Sequence, residues 1–280
     1  MSLVRRITTF VLILLVAHGV HALQGVINVG MIPDAGATQA SIQEKEPLKV
    51  YLTQALGHEV NLVIPANYNA IVEGLGNGSL DFAMLGGLTY VKAHARYGVV
   101  PLVQRAIDQK FHTLFIANTG SSIQTLRDLK GKRFAFGDVS STSGHLIPYI
   151  EIRQAGVDPD HDLEFRYTGS HTATAKAVEM GEVDAGALDE TVYKSMVSDG
   201  SLNAAKVRVF HTSKPFVDNV WVARKEVNPV IREKFAQAFT ALKESQNEEV
   251  LKILRAKDFV RASNEEYTII RLFAQQLSLL

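Results

Sequence analysis

From Val26 onward the chain repeats one unit, a short apolar run followed by a stretch with helical spacing, and that rhythm leaves few folds open. Apolar runs at Val26 to Ile32, His58 to Ile64 and Leu80 to Leu85 read as strands. Between them, Glu46 to Leu56 carries Leu48, Leu52, Ala55 and Leu56 at helical spacing and closes at Gly57, and Asn67 to Leu75 follows the same pattern. Strand and helix alternating in this way predict an α/β fold in which sheets are flanked by helices, with ligand sites beyond the carboxyl ends of the strands. Two further extended runs, Val99 to Ala106 and Phe111 to Ala117, lead to the polar stretch Asn118 to Ser122. There the rhythm restarts, with strands at Arg133 to Phe136, Leu163 to Tyr167, Val183 to Leu188 and Lys206 to His211.

A chain of 280 residues suits two domains of roughly 100 to 150 residues. The rhythm divides it into a first lobe over residues 23–118, a second over 119–214, and a return to the first over 215–280, which ends in helices. Two lobes joined by two crossings, at Asn118 to Ser122 and at Thr212 to Pro215, make a clamshell. Each lobe is expected to be a mainly parallel sheet flanked by helices, with strand ends from both facing one cleft.

Residues 1–22 stand apart. Arg5 and Arg6 precede the uninterrupted apolar run Phe10 to Ala17, and small residues at Val20 and Ala22 follow, which reads as a secretory signal cleaved after Ala22. The apolar run is far short of the ~20 residues that span a bilayer. The chain has no Cys, which excludes disulfides, thiol chemistry and a lipid anchor after the cleavage site. Of 29 Lys and Arg, the signal takes two, leaving 27 against 29 Asp and Glu. That slight excess of negative charge argues against a nucleic-acid partner.

The densest chemical signal is Arg133 to Pro148. A strand runs through Gly137 and Asp138 into four hydroxyl residues, Ser140 to Ser143, ahead of a helical pattern opening at Gly144. A helix start carries about four N–H groups without intrahelical acceptors and roughly half a positive charge. Hydroxyls at the cap add donors on the same side, so a tetrahedral oxyanion could be held by neutral groups alone. Other loops fall on the same side of the sheets. Tyr68 opens the second helix, Tyr90 lies just past the third strand, His171 opens a helix, Asp189 ends a strand and Asp218 sits at the return crossing. An ionised Asp near such a ligand would accept from a donor and so select an oxyanion that keeps a proton.

Ser141-Thr142-Ser143-Gly144 with Pro148 four residues on, Tyr68 in A-x-Y-x-x-I-x-E closing at Glu73, His171 opening a helix that closes in Gly181-Glu182-Val183-Asp184-Ala185, and Asp218-Asn219-Val220-Trp221-Val222 after Pro215 together resemble the periplasmic phosphonate-, phosphite- and phosphate-binding proteins of ABC importers. The resemblance implies a type II periplasmic binding protein with no catalysis, cofactor or metal. Its implied partners are a small phosphorus oxyanion in the interlobe cleft and a membrane permease, or, as the alternative, a membrane sensor. A monomer is expected. Ser141, Thr142 and Ser143 would hold the oxyanion with His171 opposite, Tyr68 would close from the other lobe, and Asp218 would accept from the protonated end. Aminoalkyl-phosphonate binders of this kind place an acidic residue where an ungapped count from His171 reaches Thr191, and a Tyr where this chain has about Phe111. Both departures favour phosphite, phosphate or a small alkylphosphonate.

Three other signals carry less. Gly74-x-Gly76-x-Gly78 follows a helix instead of a strand and reads as a helix terminator. Asp158 to Asp162 has metal-ligand residue types but reads as a polar loop. Ser143 with His145 would be the nucleophile and base of an exported hydrolase, the third reading of the chain.

Overall fold

The computed structural model describes residues 25–33 and 42–280; the expected signal segment and residues 34–36, part of a predicted loop after the first strand, lie outside them. The strands are β1 (Ile27–Gly30), β2 (Val60–Val63), β3 (Phe82–Leu85), β4 (Val100–Arg105), β5 (Thr113–Asn118), β6 (Arg133–Phe136), β7 (Glu164–Tyr167), β8 (Ala185–Asp189), β9 (Val207–Thr212), β10 (Val220–Ala223) and β11 (Phe259–Arg261). The helices are α1 (Glu46–Leu56), α2 (Tyr68–Asn77), α3 (Gly87–Tyr97), α4 (Ile147–Gln154), α5 (Pro159–Asp162), α6 (His171–Glu179), α7 (Glu190–Ser198), α8 (Pro229–Thr240), α9 (Glu244–Ile253) and α10 (Thr268–Gln276). Among the described residues no helix is long and apolar enough to cross a membrane.

The strands form two sheets, ordered β11-β4-β10-β3-β1-β2 in the first lobe and β7-β6-β8-β5-β9 in the second. Two expectations need correction. Thr113–Asn118 pairs with β8 and β9 of the second lobe, so residues 113–118 do not belong with the first. A five-residue 3-10 turn, Ala106–Lys110, carries the chain between lobes, and Asn118 to Ser122 is a turn inside the second. Two consecutive apolar runs look like neighbours in a sequence, and only their pairing reveals that they lie in different sheets.

The sheets are also mixed in their pairing. β1 lies parallel to β2 and β3, and β6 parallel to β7 and β8. β10, however, runs antiparallel to β3 and β4, and β5 antiparallel to β8 and β9. β5 and β10 come directly off a crossing, so each enters its sheet from the cleft end and must run against its neighbours, and the edge strand β11 runs antiparallel to β4 as well. Where the crossings touch, Phe111 and Phe216 exchange backbone hydrogen bonds of 2.8 and 3.0 Å, which ties the two connections into one hinge.

Local chemistry sets the elements around the cleft. In α1, Leu48, Leu52 and Leu56 recur every four residues on the buried face, and Gly57 closes the helix at φ +68°, a left-handed conformation glycine adopts without strain. The Asn67 side chain accepts from the Ala70 N–H and starts α2; the Ser170 hydroxyl does the same for α6 from Ala173. Gly76 faces the Tyr97 ring so closely that a Cβ there would lie 2.4 Å from it, which gives the glycine triplet a packing role. The starts of α2, α3, α6 and α7, and the turn after β6, all follow the carboxyl ends of strands, so the polar ends of five elements converge on one cleft.

Candidate functional site

After β6 the chain makes a π turn, Thr142–Leu146, before α4 begins. Such wide turns recur at binding sites because they splay the first N–H groups outward. Ser141 caps the turn: its Oγ accepts from the Gly144 N–H at 3.0 Å, which leaves the hydroxyl proton available to donate elsewhere. Gly144 permits the turn to sit against its neighbours, since a Cβ there would lie 3.1 Å from His171 Cε1 and 3.2 Å from Gly137 Cα. Ser141, Thr142 and Ser143 are each 2% exposed or less, so they face the inside of the closed clamshell and not bulk water.

The first lobe meets this turn with complementary groups. Thr142 Oγ1 accepts from the Leu88 N–H at the start of α3 at 2.9 Å and donates to Asp218. Asp218 Oδ1 also accepts from the Gly87 N–H at 3.0 Å. Burial, reinforced by the charges of Asp108 and Asp189, pushes the Asp218 carboxyl up to about 7 against the pull of these hydrogen bonds. It can therefore hold or release a proton near neutrality. On the other side, the Tyr68 hydroxyl lies 3.4 Å from His171 Nε2, and the Asp189 N–H donates to His171 Nδ1 at 3.3 Å. A neutral ring accepting at Nδ1 carries its proton on Nε2, and an imidazolium donates there as well, so in either charge state His171 presents a donor toward Tyr68 and the cleft.

Asp189 is part of the cluster in a different role from a ligand contact. Its Oδ1 caps α7, accepting from Thr191 N and Oγ1 and from Val192 N at 2.6, 2.7 and 3.0 Å. Burial works against its charge, yet His171, Arg105 and those bonds hold it below the ordinary aspartate value. Tyr90 is not in the cluster. One turn inside α3, its hydroxyl donates to Asn264 at 2.9 Å and its ring packs edge-on against Tyr267, so it joins α3 to the C-terminal segment.

Arg105, Thr191 and Asn219 complete the surroundings, and of these Arg105 has no motif that marks it in the sequence. With Tyr68, His171 and Asp189 they line a cavity of about 30 Å³ between the lobes. A larger groove of about 580 Å³, lined by Ile147, Ile150, Phe216 and Phe273, lies between α4, the return crossing and α10 and contains none of these groups. The polar convergence marks the smaller space as the site. The nucleophile and base pair does not form. His145 Nδ1 lies 2.7 Å from the Val139 carbonyl and Nε2 lies 3.0 Å from the Tyr167 hydroxyl, while burial lowers its pKa to about 4. In the acidic loop, Asp158 caps α5, Asp160 accepts from Tyr149, and Asp162 pairs with Lys130.

The Asp218 environment gives a stability signature. Its native pKa of about 7 stands above the unfolded value near 3.9, so the native state binds more protons between those limits. The contribution is present below pH ~4 and lost as pH rises through ~7. In thermal melts, Asp218→Asn is expected to be more stable than the parent at pH 8, with the gap narrowing by pH 5.

Comparison with known proteins agrees with this architecture. The family model of the periplasmic substrate-binding proteins of phosphonate ABC transporters matches residues 29–267, and the chain belongs to that family. It is 30% identical over 272 residues to a protein of Prochlorococcus marinus (strain MIT 9301) named as a probable ABC transporter phosphite-binding protein, covering 90% of each chain. It is 27% identical over 208 residues to a phosphate-import protein of Mycolicibacterium smegmatis, covering 69% of this chain and 65% of that one. The solved structure of the Prochlorococcus protein PhnD1 in complex with methylphosphonate superposes with a TM-score of 0.85 at 29% identity, covering 91% of this chain and 99% of that one.

Proposed function

We propose that this chain captures a small phosphorus oxyanion, phosphite, phosphate or methylphosphonate, in the interlobe cleft and delivers it to a membrane permease, with no bond made or broken. The observation that carries the reading is the convergence of Ser141, Thr142 and Ser143 with Tyr68, His171 and Asp218 inside one closed, buried cluster. The hydroxyls and the N–H groups opening the turn supply neutral donors to the oxyanion, as does His171 Nε2. Asp218 and the ligand share one proton, which favours a guest that can carry a hydroxyl on phosphorus. The protein acts as a monomer in the periplasm, with residues 1–22 removed on export.

The size and charge of the cavity support a small substituent on phosphorus. The cavity beside Tyr68 is small, about 30 Å³, and Thr191 lines it with a hydroxyl where the resemblance to aminoalkyl-phosphonate binders would place an acid. An aminoalkyl chain would also bring its charge toward the Arg105 guanidinium, which lies 3.4 Å from the Thr191 hydroxyl. Isothermal titration with phosphite, phosphate, methylphosphonate and 2-aminoethylphosphonate tests the reading. Saturable one-to-one binding of at least one of the first three is expected, with 2-aminoethylphosphonate ~100-fold weaker or worse, the scale of burying an ammonium without a carboxylate of its own. No binding of any phosphorus oxyanion would remove the proposal.

A further inference from the structure

We propose that Ser140 is the catch of an interlobe latch that sets how long every ligand is held without touching any of them; this rests on the cleft being the capture site. Ser140 stands one residue ahead of the hydroxyl cluster and is fixed in the second lobe, its N–H donating to Asp138 Oδ1 at 2.7 Å. Its other polar groups all face the first lobe. The carbonyl accepts from Thr89 Oγ1 at 2.9 Å, and the hydroxyl oxygen accepts from Lys92 Nζ at 3.2 Å. The same hydroxyl donates to Asn69 Oδ1 at 3.4 Å. Thr89 and Lys92 lie three residues apart on α3 and so share one face, while Asn69 belongs to the first turn of α2. One buried serine is thereby clasped by two helices of the opposite lobe.

The N–H, carbonyl and hydroxyl of Ser140 are all bonded to protein partners, so none is left to offer a guest. Their bonds are made whenever the lobes are shut, whatever lies in the cleft. A contact that stabilises the closed form alone raises the fraction of binding-competent protein, and apparent affinity scales with that fraction. The latch therefore multiplies the affinity for every ligand by one common factor and leaves the ranking of ligands to the cluster around Ser141. Thr89, Lys92 and Ser140 are positioning residues in this sense.

Lys92→Met removes the charged arm while keeping the length of the side chain, and Thr89→Val removes one hydroxyl at constant shape. Each is to be measured for dissociation of phosphite, phosphate and methylphosphonate. Lys92→Met is expected to speed dissociation of all three by the same ~5- to 20-fold, with ratios between ligands held within about twofold. The absence of native Cys allows a spin-label pair at Met180→Cys and Val230→Cys, exposed positions on opposite lobes, to report closure without ligand. The Lys92→Met protein should shift toward longer distances. Unequal effects on the three ligands would show that these residues contact the guest and would overturn the latch, as would unchanged dissociation and unchanged distances in both variants. If the parent protein binds none of the three ligands, the transport reading falls while the label distances still decide the latch.

Discussion

Replacing Ser141 and Thr142 together by alanine is expected to weaken oxyanion binding by ~10²- to 10⁴-fold, through loss of the charge-assisted hydrogen bond donated by Ser141, roughly 1.5 to 3 kcal/mol, and of the Thr142 bonds that hold Asp218 and the facing lobe in place, of similar size. The two hydroxyls act differently. Ser141 Oγ already accepts from the Gly144 N–H, so its proton is the part offered to the ligand, and alanine removes that donor outright. Thr142 joins the lobes by accepting from the Leu88 N–H and donating to Asp218, so its loss also loosens the carboxyl that shares the ligand's proton. The cost to folding is smaller, about 1 kcal/mol for the lost cap. Titration calorimetry with a thermal melt separates the two effects: affinity collapses while the melting temperature falls by only a few degrees. Tyr90→Phe is the control, because its hydroxyl serves Asn264, and it should leave affinity unchanged.

Arg105→Met is expected to destabilise the protein by about 3 to 5 kcal/mol, the cost of leaving a buried charge without its partner. The guanidinium grips Asp108 with Nε and Nη2, each at 2.7 Å, and both side chains are almost wholly buried, at 7% and 1% exposed. Burial opposes the charge on Arg105, but Asp108 overcomes it and holds the guanidinium pKa above its ordinary value. Asp108 also accepts from Asn219 at 3.1 Å, and its backbone carbonyl accepts from the Asp218 N–H at 3.0 Å, so this pair ties the first crossing to the return crossing. The Arg105 guanidinium lies 5.5 Å from the centre of the Phe111 ring, on the hinge itself. Urea denaturation should show a lower midpoint for Arg105→Met, and Arg105→Met with Asp108→Leu should recover most of the loss because no buried charge is then stranded. Arg105→Lys should not rescue, since an ammonium cannot reproduce the two-pronged grip.

What the sequence made legible, and what it hid, follows from how far each interaction reaches along the chain. The strand Arg133–Phe136 and the helix Glu46–Leu56 were readable to the residue because apolar spacing and a terminal glycine act locally. The capped turn at Ser141 to Ser143 could be read for the same reason: a cap and its helix lie within a few residues. The lobe assignment of Thr113–Asn118 was not readable, because it depends on pairing with β8 and β9, some 70 to 100 residues later. The three-residue strand Phe259–Arg261 was missed, being too short to show a period. Arg105 escaped notice because a single polar residue at an element end looks like surface until the lobes close on it. Tyr90 was misplaced because position after a strand predicts the end of a helix that faces the cleft but not the side chain's destination one turn further in.

The most direct test of the central claim is a crystal structure of the protein grown with phosphite. The account predicts one phosphorus centre between the lobes, its oxygens within hydrogen-bonding distance of the Ser141 and Thr142 hydroxyls, the N–H groups opening the π turn, His171 Nε2 and Tyr68, with Asp218 against the protonated oxygen. Phosphite seated in the outer groove between α4 and α10, or bound with Ser141 to Ser143 turned away from it, would contradict that claim.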